Sequence, residues 1–167
     1  MDTLYIVMPA YNEEANIERV VSDWYSALFR KEVSEQSKIV VADSGSTDST
    51  HDILNLMKSK YPRMEILSNT GQQHGPKVIA LYDYAIKQNA DYIFQTDSDG
   101  QTDPQDFDEF WGSREYFDVI LGERVRRSDG HTRMFVQKVV TIMLFLFFGV
   151  KVPDANAPFR LMNKNIV

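Results

Sequence analysis

Cysteine is absent from the 167 residues, so neither a disulfide framework nor a thiolate zinc site is open to this chain. Cations are in the minority, 18 Lys and Arg against 24 Asp and Glu. The resulting formal charge of −6 argues against nonspecific nucleic-acid binding, which needs a net basic face. No basic segment precedes the first apolar residues. Met1-Asp2-Thr3-Leu4 runs directly into a strand pattern, and a cleaved signal peptide is not expected. There is also no convincing linker, internal repeat or low-complexity tract. The apolar run VVTIMLFLFFGV, Val139–Val150 between Lys138 and Lys151, is too short to cross about 30 Å of hydrocarbon as a helix. Its residues leave two readings open: a buried core helix, favoured by sequence alone, or a helix lying in a membrane interface with its lysines among the headgroups.

What remains is an ordinary globular composition, 43% hydrophobic and 25% charged, long enough for one domain that buries roughly two thirds of its unfolded surface. Strand and helix patterns alternate. Leu4–Met8 reads as a strand stopped by Pro9, and Ile17, Val20, Val21, Trp24 and Leu28 recur at helical spacing between Glu13 and about Lys31, with Asn12 or Glu13 as the cap. Lys38–Ala42 is a second strand, followed by a helix over about 49–60. Glu65–Leu67 is a third strand and Gly75–Asn89 a third helix. Asp91–Thr96 is a fourth strand; Asp103-Pro104 opens another helix, with proline at its first position. Phe117–Leu121 is a fifth strand, and the final residues Asn163–Val167 read as the start of a helix. This alternation predicts an α/β fold, a mostly parallel sheet with right-handed crossovers and helices on both faces.

The most informative residues are Asp97-Ser98-Asp99-Gly100-Gln101, where the fourth strand gives out into a loop. Two carboxylates at i and i+2 and a carboxamide at i+4 can converge on one hard divalent cation. Oxygen donors of this kind suit Mg²⁺ or Mn²⁺, which keep positions for water and substrate phosphate. The carboxyl end of a strand is also where ligands bind in open α/β sheets. The plainer alternative is an acidic surface turn with an aspartate cap.

Three further clusters fall at strand ends in the same order along the chain: Pro9-Ala10-Tyr11-Asn12-Glu13, Asp43-Ser44-Gly45-Ser46-Thr47-Asp48, and Gly122-Glu123-Arg124 with the loop through Arg133. Together with the acidic motif they resemble the family 2 glycosyltransferases of GT-A fold. A narrower pattern, Asp97/Asp99/Gln101, Gly122/Arg124, Arg133, the apolar run, then Asp154/Phe159/Arg160, resembles the polyprenyl-phosphate sugar transferases, the subgroup of dolichol-phosphate mannose synthase and the bactoprenol glucosyltransferases. The resemblance implies a single GT-A (Rossmann-like) catalytic domain over 1–167, shortened at its C-terminus relative to such enzymes. It implies inverting transfer from a UDP- or GDP-linked sugar to a polyprenyl phosphate. It also places the chain in the cytoplasm at the inner face of a membrane, with the apolar run at the interface.

By the same resemblance, Asp97, Asp99 and Gln101 hold Mg²⁺ or Mn²⁺, Asp43 accepts a hydrogen bond from the base, and Pro9, Tyr11 and Glu13 frame base and ribose. Asp97 also belongs to the nucleotide site, and Asp99, Arg124 and Arg133 are the expected catalytic residues. Arg124, Arg133 and Arg160 would meet the acceptor phosphate, a task suited to guanidinium's fixed charge and forked donors. A phosphate acceptor is already anionic, so no strong general base is required. Arg126, Arg127 and His131 lie in the same loop without a motif position, and a solvated basic loop is the alternative for the cluster.

The chain departs from the family pattern in places. Ser44 replaces a second aspartate, Gln137 a serine, and Ala157-Pro158 a serine-glycine pair. His51 carries no motif, His74 reads as solvent-facing, and Trp24, Trp111 and the phenylalanines read as packing. Two other functions stay open. A saccharide-hydroxyl acceptor would need a carboxylate base, for which Asp154 is the candidate. A nucleotide-holding module without turnover would keep the donor site alone. A nucleotidyltransferase would require a glycine-rich basic loop after the first strand, which Pro9–Glu13 lacks.

Overall fold

The computed structural model describes residues 1–123, 139, 141–143, 146, 147, 149 and 157–167. Its centre is a six-stranded sheet in the order β3-β2-β1-β4-β6-β5. β1 (Leu4–Ala10), β2 (Lys38–Asp43), β3 (Met64–Leu67) and β4 (Tyr92–Gln95) are mutually parallel. β6 (Arg160–Asn163) runs antiparallel between β4 and β5 (Val119–Leu121). The mostly parallel sheet expected from the alternating pattern is therefore present.

Side-chain alternation along each strand assigns the two faces. Leu4, Ile6, Met8 and Ala10 of β1, with Ile39 and Val41 of β2, point to one side. There they meet α1 (Ile17–Phe29), α2 (Thr50–Lys60) and α4 (Phe107–Ser113) through Ile17, Val20, Trp24, Leu54, Met57 and Phe107. Tyr5, Val7, Val40, Ala42 and Ile93 point to the other side, where α3 (His74–Lys87) covers them with Leu81 and Ala85. β1 is fully buried along its whole length, as a central strand covered on both faces must be.

An aromatic cluster locks the antiparallel edge to this core. Phe94 of β4 lies 4.5 Å from Phe107, 4.7 Å from Phe159 and 5.2 Å from Trp24, measured between ring centroids. Trp24 and Trp111 are buried, so both tryptophans are packing residues, as the sequence suggested.

Several boundaries differ from the sequence reading. Residues Arg160–Asn163 form strand β6, and Asn163–Val167, expected to start a helix, instead end that strand and pass into a turn at Lys164-Asn165. The pairing of Leu161 with Phe94 and Ile120 across the sheet is a tertiary contact invisible in local periodicity. The helix after Pro104 begins at Phe107, and Asp103 instead closes a turn by accepting the Gln105 N–H at 2.8 Å. α1 begins at Ile17 with Asn16 at its N-cap, and Asn12, at φ of +55°, lies outside the helix. In the apolar run, residues 139, 141–143, 146 and 147 are helical, and Val139, Ile142, Met143, Leu146 and Phe147 are exposed. Core burial is thus not what these side chains do. Among the described residues no helix is long and apolar enough to cross a membrane.

Candidate active site

Three of the sequence motifs sit at the carboxyl ends of β1, β2 and β4, whereas Gly122-Glu123 follows β5 and Phe159-Arg160 opens β6. The first two loops are laced together. Asn12 donates its backbone N–H to Ser46 Oγ at 3.1 Å and accepts the Thr47 N–H on Oδ1 at 2.8 Å. Glu13 N–H donates to Thr50 Oγ1 at 2.8 Å, Glu14 N–H to Asp48 Oδ2 at 3.2 Å, and Ser49 N–H to Glu14 Oε2 at 2.9 Å. Asn12 therefore joins two loops rather than capping a helix. Asn tolerates the left-handed conformation this requires.

The acidic loop is fixed from beneath. Ser98, between the two aspartates, is buried and donates its hydroxyl to the Pro9 carbonyl oxygen at 2.8 Å. Thr96 and Thr102 close the loop's base with their hydroxyls 2.8 Å apart. Gly100 turns the chain at φ of +76°, where a side chain is strained. Gln101 donates its backbone N–H to Asp99 Oδ1 at 3.0 Å.

Pro9, Tyr11, Glu13, Asp97 and Asp99 come together around one cleft of about 310 Å³, joined by Ala10, Gln72, His74, Lys77 and Ser98. Of the expected metal ligands, the two carboxylates share this cleft, while Gln101 is exposed and outside its lining. Among the described residues no three His, Cys, Asp or Glu side chains form a metal-binding group. Two hard carboxylates facing a cleft still fit Mg²⁺ or Mn²⁺, because such ions complete their shell with water and substrate phosphate.

Asp43 ends β2 beside Ala10 and is only 2% exposed. Ser46 donates its hydroxyl to Oδ1, and His51 Nδ1 lies 3.0 Å from Oδ2. Ser44, where the family pattern has a second aspartate, accepts the Thr70 N–H at 3.0 Å. It thereby holds the loop that carries Gln72.

Three residues of the cleft, Gln72, Lys77 and His74, are not assigned to it by the sequence. Lys77, in the first turn of α3, has 1% exposure, donates to the Ala10 carbonyl at 2.6 Å and lies 5.1 Å from the Tyr11 ring centroid. Burial pushes its ammonium below the ordinary lysine pKa, and the nearby Asp43 carboxylate opposes that shift. A lysine inside a helical stripe gives no local signal of this placement. His74 lines the same cleft with Nε2 3.7 Å from Asp97 Oδ1, although its side chain is largely exposed.

Arg160 is elsewhere. Its Nε and Nη2 donate to the Ala157 carbonyl at 3.1 and 2.6 Å, and it does not line the cleft. Tyr82 beside it is pushed up in pKa by burial, an effect Arg160 opposes. Arg124, Arg126, Arg127, His131, Arg133 and Asp154 lie outside the described residues.

The family model for glycosyl transferase family 2 matches residues 5–167. The chain belongs to that family. An undecaprenyl-phosphate 4-deoxy-4-formamido-L-arabinose transferase from Photorhabdus laumondii is 23% identical over 163 residues, covering 97% of this chain and 49% of the relative. The uncharacterized glycosyltransferase YkoT of Bacillus subtilis is 27% identical over 175 residues, covering 96% and 49%. The chain thus spans about half the length of the curated relatives it matches. Among solved structures, glucosyl-3-phosphoglycerate synthase from Mycobacterium tuberculosis, in complex with Mn²⁺, UDP-glucose and phosphoglyceric acid, superposes with a TM-score of 0.71 at 20% identity. That match covers 99% of this family 2 chain and 57% of the synthase. The fold is that of the GT-A glycosyltransferases.

Proposed function

We propose that this family 2 chain carries the donor site of an inverting, metal-dependent transferase that moves a sugar from a nucleoside-diphosphate sugar to a polyprenyl phosphate at a membrane surface. One observation carries the reading: Asp97 and Asp99 share a single cleft with Pro9, Tyr11, Glu13 and the buried ammonium of Lys77. The similarity to relatives named as undecaprenyl-phosphate transferases supports the lipid acceptor.

In the proposed reaction an oxygen of the acceptor phosphate forms a bond to the anomeric carbon from the face opposite the donor. The bond from that carbon to the donor's phosphate oxygen breaks, and the nucleoside diphosphate leaves with the electron pair. Mg²⁺ or Mn²⁺ held by Asp97 and Asp99, with Gln101 nearby, would neutralise the leaving diphosphate as a Lewis acid. Lys77 adds a fixed cation on the same wall of the cleft. Pro9, Tyr11 and Glu13 frame the nucleoside, and Asp43 accepts from the base. Arg124, Arg133 and Arg160 are assigned to the acceptor phosphate on the family pattern, with a membrane-facing role for the exposed apolar residues 142, 143, 146 and 147.

The test is transfer of labelled sugar from UDP-glucose, UDP-N-acetylglucosamine and GDP-mannose to undecaprenyl phosphate, using the full-length protein in membranes with Mn²⁺. Lipid-linked product that vanishes on chelation supports the reading; nucleotide binding without product for any donor would favour the nucleotide-holding module. Arg133→Ala should weaken acceptor use more than nucleotide binding, and equal loss of both would contradict its assignment.

A further inference from the structure

The cleft holds a ring nitrogen beside the first carboxylate of the acidic motif. His74 Nε2 lies 3.7 Å from Asp97 Oδ1, and both residues line the cleft together with Asp99. At that separation the two atoms are too far apart for a hydrogen bond. They are close enough to share one cation, whose ligands stand about 2.1 Å from it and so up to about 4 Å from each other. Gln101, the carboxamide expected as a third ligand, is exposed and outside the lining.

The placement of His74 follows from how α3 docks. His74 opens the helix one turn before Lys77, and residues three apart share a helix face. Lys77 is buried and tied to the Ala10 carbonyl at 2.6 Å, so that face is held toward the cleft. The chain enters the helix through Gly71 at φ of +82°, where a Cβ would come within 3.2 Å of Pro76 Cβ. This close packing fixes the first turn against the preceding loop. The imidazole itself is largely exposed, which gives it room to turn between rotamers.

From this geometry we infer that His74 is a direct nitrogen ligand of the divalent ion held by Asp97 and Asp99, and that it biases the site toward Mn²⁺ over Mg²⁺. The inference rests on the reading of the acidic motif as the metal site.

Ligand chemistry gives the bias its direction. Mg²⁺ loses water reluctantly and keeps near-ideal octahedral oxygen coordination. Mn²⁺ accepts the same carboxylates, and as a first-row transition ion it also bonds to imidazole nitrogen. A neutral imidazole presents a lone pair on one ring nitrogen and a proton on the other. With Nε2 toward Asp97, the Nδ1 proton is left to water at the exposed edge of the ring. The three side chains do not stand as a ready-made metal-binding group. His74 and Asp97 are the part already paired, and Asp99 joins directly or through a retained water.

The experiment is pulsed EPR of Mn²⁺ bound to the protein with UDP, beside competition titrations of Mn²⁺ and Mg²⁺ and thermal melting. Wild type, His74→Ala and His74→Gln are compared. Imidazole bound to Mn²⁺ imprints a nitrogen modulation on the spin echo that carboxylate and water ligands lack. Wild type should show it, and His74→Ala should erase it. In His74→Ala the ratio of Mn²⁺ to Mg²⁺ affinity should fall about tenfold or more, no less than when a metal ligand loses its own hydrogen-bond partner. His74→Gln returns an oxygen ligand, so binding of both ions should recover without the modulation or the ratio. Melting temperatures should be alike, because the side chain is exposed.

A wild type without nitrogen modulation, a modulation that persists in His74→Ala, or an unchanged ratio overturns the inference and leaves the proposed function standing. Equal loss of both ions with a lowered melting temperature reduces His74 to a structural role and also overturns it. Mn²⁺ that binds undiminished when Asp97→Asn and Asp99→Asn are combined brings down the proposed function as well.

Discussion

The ammonium of Lys77 donates to the Ala10 carbonyl oxygen at 2.6 Å, joining the first turn of α3 to the end of β1 on the wall of the cleft. A buried ammonium held by a neutral carbonyl recovers only part of its desolvation cost, and the nearby Asp43 carboxylate offsets some of the rest. Its retention beside Asp97 and Asp99 makes sense if an anionic ligand completes its coordination.

Lys77→Met separates these effects. The change removes a charge that is costly to bury but also takes a donor from the Ala10 carbonyl. The melting temperature should change little, while Mn²⁺-dependent UDP affinity falls about 10- to 100-fold, the range for a charge-assisted hydrogen bond. Calorimetry and thermal melting on the same preparation check both. Unchanged affinity would remove Lys77 from the diphosphate site.

Asp97→Asn and Asp99→Asn should each abolish the Mn²⁺ dependence of nucleotide binding and leave the fold intact. Both side chains are only partly buried at the cleft, the loop is anchored beneath by the buried Ser98 hydroxyl on the Pro9 carbonyl, and an asparagine oxygen can still accept the Gln101 N–H that Asp99 receives. Titration of UDP with Mn²⁺ and with EDTA, beside a circular dichroism spectrum, reads the two outcomes. Metal-stimulated binding that survives in both variants would place the ion elsewhere.

Gly100→Ala tests the turn of the acidic loop. At φ of +76° an alanine pays roughly 1–2 kcal/mol of left-handed strain. A Cβ would also collide with the Arg19 guanidinium, though that side chain is flexible enough to move aside. Stability measured by urea unfolding should fall by about that strain, and metal-dependent nucleotide affinity should fall further as Asp99 is displaced. An unchanged unfolding midpoint would show that the loop relaxes freely.

Glu65 predicts the sign of one acid-dependent contribution. Burial pushes its carboxyl up, but hydrogen bonds from Lys58 and Lys38, at 2.9 and 3.2 Å, outweigh that and hold its pKa below the usual value. A depressed folded-state pKa stabilises above the unfolded value, about 4.3, and the contribution is lost as pH falls through the folded value. The group is partly solvated, so its worth is below about 1 kcal/mol. Glu65→Gln should therefore lower stability slightly at pH 7 and have a vanishing effect at an acidic pH below its depressed folded-state pKa. Urea unfolding at the two pH values measures it, and an equal loss at both would assign the effect to packing.

Local sequence determined the strand-helix alternation, because burial on both sheet faces forces apolar runs such as Leu4–Met8 and helical faces force the spacing of Ile17, Val20, Trp24 and Leu28. It also located Pro9, Tyr11, Glu13, Asp97 and Asp99, since turn chemistry at a strand's carboxyl end is written in neighbouring residues and these five do meet in one cleft. Tertiary structure alone decided what depends on distant partners. β6 is a strand because Leu161 pairs with Phe94 and Ile120, Lys77 enters the site because α3 docks where Ala10 ends its strand, and His51 meets Asp43 because α2 docks at the end of β2. Hydrogen bonds across 8 to 67 positions of sequence leave no periodic trace, for they are set by how helices pack on the sheet and not by what the helices are made of.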